Sequence, residues 1–216
     1  MDAPSRADLD RGPDAGRPAG PAAPDAAEAE LLARARDGNL FAFDEMVRRY
    51  QRRVYATAVR IVRRHDVADD VVQEAFLRAH QSLDRFDLSR PFGPWICRIA
   101  ANLAVNHVRS PRAREEGLPE AHAETPSAGA SPLTRVLDAE ARRELGRALE
   151  SLSDEQRAVF VLRVFDELSY KEIAQALEIS MGTVMSRLSR ARERLREALT
   201  PYLGAALARR AEGGRP

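Results

Sequence analysis

Thr183, Ser186, Arg187, Arg190 and Arg194 recur at three- and four-residue steps within SMGTVMSRLSRARERLR, residues 180–196. On a helix each residue advances by about 100°, so these five share one side. Val184, Leu188, Ala191 and Leu195 form an apolar stripe roughly a right angle away. A helix sorted in this way docks on a core by one side and offers hydroxyls and guanidinium forks on the next, with Ser189 at the margin. Such groups suit phosphates and the edges of bases in a groove. The plainer alternative is an αα-hairpin whose arginines face water.

A second set lies on residues 92–109. Trp95, Arg98, Asn102, Asn106 and Arg109 share a strip about 80° wide on a helical wheel. Arginines can hold phosphates, amides can pair with base edges, and an aromatic face can stack on an unpaired base. The alternative places Trp95 in the core and the rest in solvent. On the adjacent side of that wheel Phe92, Ile96, Ile99, Leu103 and His107 form the expected apolar face. A third set, Asp70, Gln73, Glu74, Leu77 and Gln81, lines one side of the run VADDVVQEAFLRAHQ, with Asp69 beside it. Acids repel phosphates, so this strip reads as a protein-docking face or as ordinary surface.

Positioning these sets requires helices. Ala and Arg are abundant, aromatics make up 6% of 216 residues and β-branched runs are rare, which predicts an all-α fold. EAELLARARD runs to a C-capping Gly38. Phe43, Met46, Val47, Tyr50, Val54, Ala58, Ile61 and Val62 mark a long amphipathic helix. Asp66 is placed to cap the next helix, and the loop SLDRFDLSRP leads to the fourth, about 92–109. In the C-terminal part a helix near 135–149 precedes two capping boxes, Ser153 with Gln156 and Ser169 with Glu172. The second box opens a short helix that turns at Ile179-Ser180 into the arginine-rich run, a helix-turn-helix pattern.

The boundaries follow from composition. Residues 1–27, rich in Pro, Gly, Ala and Asp, bury too little to order and are expected to be a disordered tail. Residues 28–110 form one helical domain, 111–134 a flexible linker, 135–203 a second domain and 204–216 a flexible end. Little chain follows the last helix, so no added sensory domain is expected. The formal net charge is +1, so basic character is local; of 34 basic residues only Lys171 is a lysine. The single Cys97 excludes an internal disulfide, and neither cysteines nor the four histidines make a metal-ligand pattern. No run approaches the roughly 18 apolar residues of a membrane span and no apolar signal core opens the chain, so a cytoplasmic protein without cofactor or metal is expected.

Four stretches in order carry a family resemblance: DGNLFAFDEMVRRY, DVADDVVQEAFLRAHQ, FGPWICRIAANLAVNHVR and LSYKEIAQALEISMGTVMSRLSRARERLR. Together, over about 28–203, they resemble a bacterial sigma factor of the extracytoplasmic-function type. That resemblance implies sigma regions two and four, joined by the linker, and no catalytic residue of the chain's own. It implies core RNA polymerase (β′ clamp helices and β flap), promoter DNA and an anti-sigma factor as partners. Asp69, Asp70, Gln73, Glu74 and Leu77 fall where the family docks on the clamp helices. Asn102 and Asn106, with Trp95, Arg98 and Arg109 on the same strip, fall where relatives engage the downstream (minus-ten) element. The loop from Ser82 to Pro91 lies where the family captures a flipped base. Thr183 to Arg190, with Arg194 beyond, fall on the helix for the upstream (minus-thirty-five) element. Two departures bear on specificity: many relatives carry an acid at the position of Asn106 and a basic residue at that of Met185.

Two other readings use the same residues. A helix-turn-helix regulator acting without polymerase needs no acidic docking strip. An enzyme using Cys97 as nucleophile needs an activating base, and no histidine is placed to serve.

Overall fold

The computed structural model describes residues 26–110 and 132–213, and among them eight α-helices and no strand. α1 (Ala26–Arg36) begins two residues before the expected domain edge. Gly38 leaves it at φ 90°, with Asn39 N–H reaching Arg34 O and Gly38 N–H reaching Ala35 O. Asn39 then caps α2 (Leu40–Val62), its side chain accepting from Ala42 N–H at 3.1 Å. Met46, Val54, Ala58 and Ile61 of α2 are fully buried. Arg63, at φ 62°, turns the chain into α3 (His65–Gln81). Asp66 does not cap that helix; Arg64 holds the cap position without a side-chain bond. Asp66 sits instead in the first turn, where it suits the positive helix end and receives the Arg64 guanidinium at 3.1 Å.

A 3₁₀ turn at Leu83–Arg85 leads to α4 (Phe92–Arg109). The buried side of α4 is Phe92, Ile96, Cys97, Ala100, Ala101, Ala104 and Val105, rotated from the expected face. Ile99 and Leu103 are only half-buried and pack along its margin, and His107 is half-buried. The small residues face inward because α4 lies between α2, α3 and the C-terminal helices, where backbones approach closely. Gly93 marks the tightest point: a Cβ there would sit 2.9 Å from Tyr50 Cε1 and 3.0 Å from Arg53 Nη1.

In the C-terminal part, α5 (Pro132–Glu150), α6 (Asp154–Val164), α7 (Tyr170–Ala176) and α8 (Met181–Gly213) follow. Both capping boxes are present, with all four backbone and side-chain bonds made. α5 begins within the stretch read as linker, and residues 111–131 of that linker lie outside the described residues, as does the tail through residue 25. α8 continues past 203 to Gly213, through Pro201, where a flexible end was expected.

The two blocks share one hydrophobic core, with α6 packed on α2 and α4. At that junction Asp166 is 1% exposed. Its carboxylate lies 2.9 and 3.0 Å from Thr57 Oγ1, and Arg53 donates to it at 3.5 Å and to its backbone carbonyl at 3.3 Å. Thr57 has one hydroxyl hydrogen, so it serves one carboxylate oxygen at a time. Beside this pin the Arg60 guanidinium lies 4.1 Å from the Phe165 ring centroid.

Burial pushes the Asp166 carboxyl up, against the opposing pull of Thr57, Cys97 and Arg53. With its folded pKa above the ordinary value near 4, the native state holds extra proton between the two values. Asp166 therefore favours the folded form most below pH ~4 and loses that contribution as pH rises through the raised value. Urea unfolding across this range should show wild type falling relative to Asp166→Asn as pH increases. Parallel profiles would contradict the assignment.

Candidate nucleic-acid interface

The arginine-rich helix starts from its own cap. Ser180 Oγ accepts the Thr183 amide at 3.1 Å and lies 2.8 Å from the Thr183 hydroxyl. The sequence reading took Ser180 only as part of a turn. Ahead of it Glu178 adopts φ 53°, and Ile179 N–H reaches Ala174 O at 3.0 Å, which closes the turn between α7 and α8. Val184, Leu188, Ala191 and Leu195 are buried as their spacing predicts.

That seating turns Thr183, Ser186, Arg187 and Arg190 to one side. Arg190, Ser186 and Ser189 are exposed, and Thr183 and Arg187 are half-buried. The Ser186 hydroxyl donates to Thr183 O at 3.1 Å, so it faces outward as an acceptor. Arg187 Nη1 is shielded from solvent and makes no hydrogen bond. Arg194 is drawn off the strip, donating from Nη1 to Ser151 O at 3.0 Å. Carbonyls past the end of α5 lack helical donors, and Arg194 satisfies one. Its role in this arrangement is to tie α8 to the α5–α6 corner.

The second strip is held from below by aromatic rings. Trp95 is half-buried, its ring centroid 4.5 Å from Phe86 and 5.4 Å from Phe92. Much of its face is thus occupied by the protein, an outcome between the two readings of the sequence. Arg98 and Asn102 are half-buried, while Asn106 and Arg109 are exposed. Asn102 Oδ1 accepts from Asn106 Nδ2 at 3.3 Å, which aligns the two amides.

The loop between Ser82 and Pro91 is pegged by buried Leu83 and Phe86. At its rim Asp87 Oδ1 accepts from the Ser89 amide at 3.0 Å and the Ser89 hydroxyl at 2.7 Å. Those bonds hold the Asp87 carboxyl below the usual carboxylate range. The rim is therefore ordered by its own side chains while Arg85 and Arg90 face solvent.

The acidic strip lies on a third helix, α3. Asp69, Asp70 and Gln73 are exposed, and Leu77 is 58% exposed, unusual for a leucine amid acids. Glu74 is half-buried and receives Arg78 Nε at 2.6 Å, which offsets part of its charge. Cys97 is buried, and desolvation, reinforced by Asp166, pushes its thiol well up, so it is held as the protonated form. Among the described residues no group of three or more His, Cys, Asp or Glu could hold a metal, and no helix is long and apolar enough to cross a membrane.

Comparison with known proteins matches two stretches of the chain to family descriptions. A family model described as Sigma-70 region 2 matches residues 46–115, and one described as Sigma-70, region 4 matches residues 142–195. The chain is 34% identical over 171 residues to the ECF RNA polymerase sigma factor SigW of Bacillus subtilis, a match covering 75% of this chain and 91% of that one. It is 37% identical over 183 residues to the ECF RNA polymerase sigma-E factor of Escherichia coli K12, covering 80% and 94%. Among solved structures it is similar to the sigma factor RpoE in complex with the anti-sigma factor NepR from Bartonella quintana, with TM-score 0.57, 28% identity, and 73% and 96% of the chains covered. It is also similar to CnrH in complex with the cytosolic domain of CnrY, with TM-score 0.54, 30% identity, and 81% and 98% covered.

Proposed function

The chain belongs to the extracytoplasmic-function (ECF) sigma factors of RNA polymerase, and from that premise we propose how its surfaces divide the work. As a sigma factor it binds core RNA polymerase, directs it to promoters and helps open the DNA. In the proposed division the exposed acids of α3 dock on the β′ clamp helices, with Leu77 as an apolar anchor. The strip of α4 and the loop before it engage the non-template strand of the downstream element. Thr183, Ser186, Arg187, Ser189 and Arg190 of α8 engage the upstream element, and this half also meets the β flap. The polymerase performs all bond chemistry; this chain supplies recognition in the cytoplasm, and an anti-sigma factor holds it inactive.

The observation that carries this reading is an exposed acidic strip on the same chain as two strips suited to DNA. A regulator acting alone has no use for the first.

Arg190 tests the upstream assignment. A bidentate arginine–guanine pair discriminates by about 1–3 kcal/mol, so Arg190→Ala should weaken upstream-element binding about 5- to 150-fold and relax preference at one base. Binding measured across all single-base variants of the element checks this. An unchanged profile would remove Arg190 from the reading set.

A further inference from the structure

α4 begins without a cap of its own. Pro91 occupies the N-cap position and offers no side-chain hydrogen bond, so the first amides of α4 need acceptors from elsewhere. One comes from α1. Glu28, whose side chain is 6% exposed, accepts the Phe92 amide on Oε1 at 2.9 Å. Its other oxygen accepts the Tyr50 hydroxyl at 2.8 Å, and the Arg49 guanidinium stands 4.0 Å away. A buried carboxylate at a helix N-terminus is favoured by the aligned peptide dipoles, and each of its bonds is directional.

The groups that Glu28 fixes pack against the start of the downstream strip. Phe92 is fully buried, and its ring contacts Phe86 of the loop at 5.9 Å and Trp95 at 5.4 Å. Tyr50, held by Glu28 from one end, lies 5.3 Å from the Phe92 ring and against the Gly93 backbone. Glu28 and Tyr50 together set both the height and the rotation of the first turn of α4. Trp95 and Arg98 follow from that turn within one and two helical turns.

Building on the assignment of α4 and its loop to the downstream element, we propose that Glu28 is a positioning residue for promoter opening: α1 caps the DNA-reading helix across the fold and fixes the pose of the aromatic loop. A displacement of about 1 Å in a working geometry can lower a rate by about a hundredfold. Glu28 never touches DNA in this account; it acts through Phe92 and Tyr50.

The test uses the full chain with core polymerase and 2-aminopurine in the downstream element. Glu28→Gln keeps the shape of the side chain but can accept through only one oxygen. It should slow opening about tenfold or more, while core binding and upstream-duplex binding stay within about twofold of wild type. Tyr50→Phe, which spares the Phe92 bond, should slow opening less. Opening at the wild-type rate by both variants would overturn the proposal. So would an equal loss in core binding, upstream binding and opening, which is the signature of general destabilisation. Failure of the unsubstituted protein to open any promoter would overturn the functional reading beneath it.

Discussion

Arg157→Ala is expected to lower the stability of the protein by about 3–5 kcal/mol, a large part of the roughly 5–15 kcal/mol available to a folded domain. Arg157 is 1% exposed. Its Nε donates to Leu149 O at 2.9 Å, its Nη2 to Leu152 O at 2.8 Å, and its Nη1 to Asp154 at 3.3 Å. The first two bonds close the corner where α5 gives way to α6. Desolvation pulls its guanidinium down to about 10, with Arg63 adding to the effect, yet it remains charged at neutral pH. Removing it leaves buried carbonyls without donors, about 1–3 kcal/mol each, and opens a cavity. Arg157→Met, which retains most of the stem, should recover part of the cavity loss only. Urea unfolding monitored by circular dichroism reads both. A loss under about 1 kcal/mol in Arg157→Ala would contradict the account of this corner.

Reversing the charges at Asp69 and Asp70 together to arginine should abolish assembly with core polymerase at concentrations where wild type saturates. Both carboxylates are exposed on α3, outside the hydrophobic core, so the fold should tolerate the change. Setting like charges against a complementary surface costs several kcal/mol, and about 1.4 kcal/mol is a factor of ten in affinity. A loss of at least about a hundredfold follows if the strip faces a basic partner. Upstream-duplex binding should be retained, because the proposed upstream contacts are on α8. Core affinity unchanged by the reversal would return this strip to ordinary surface.

Both capping boxes were legible because each depends on local spacing. Ser153 with Gln156, and Ser169 with Glu172, need only three residues of sequence to be recognised, and both form. Two further caps, Asn39 and Ser180, have the right chemistry but precede apolar patterns that begin a few residues later. Asp66 shows the limit of such signals, since an acid in the first turn gains from the dipole without capping. At the C-terminal end a flexible stretch was expected from residue 204, yet the Ala- and Arg-rich residues there are strong helix formers and α8 continues to Gly213.

What remained hidden was every polar residue whose partner is distant in sequence. Asp166 reads as a turn acid, and only the packing of α2 against the α6–α7 corner buries it beside Thr57, 109 residues away. Glu28 sits in a run of ordinary helix formers, and its partner amide is 64 residues on. Arg157 reads as surface because arginine is seldom buried, and its acceptors are carbonyls with no sequence signature. Arg194 fits the wheel of the DNA strip but finds a carbonyl at Ser151 instead. Helical periodicity places the inward side of a helix only approximately, as the rotated face of α4 shows, and it does not say which helix that side meets.

Run-off transcription with purified core polymerase, on promoters randomised at both elements, tests the central claim most directly. The account predicts transcripts that require this protein and share a preferred sequence at each element. DNA binding without transcripts, and without co-purification with core polymerase, would contradict it.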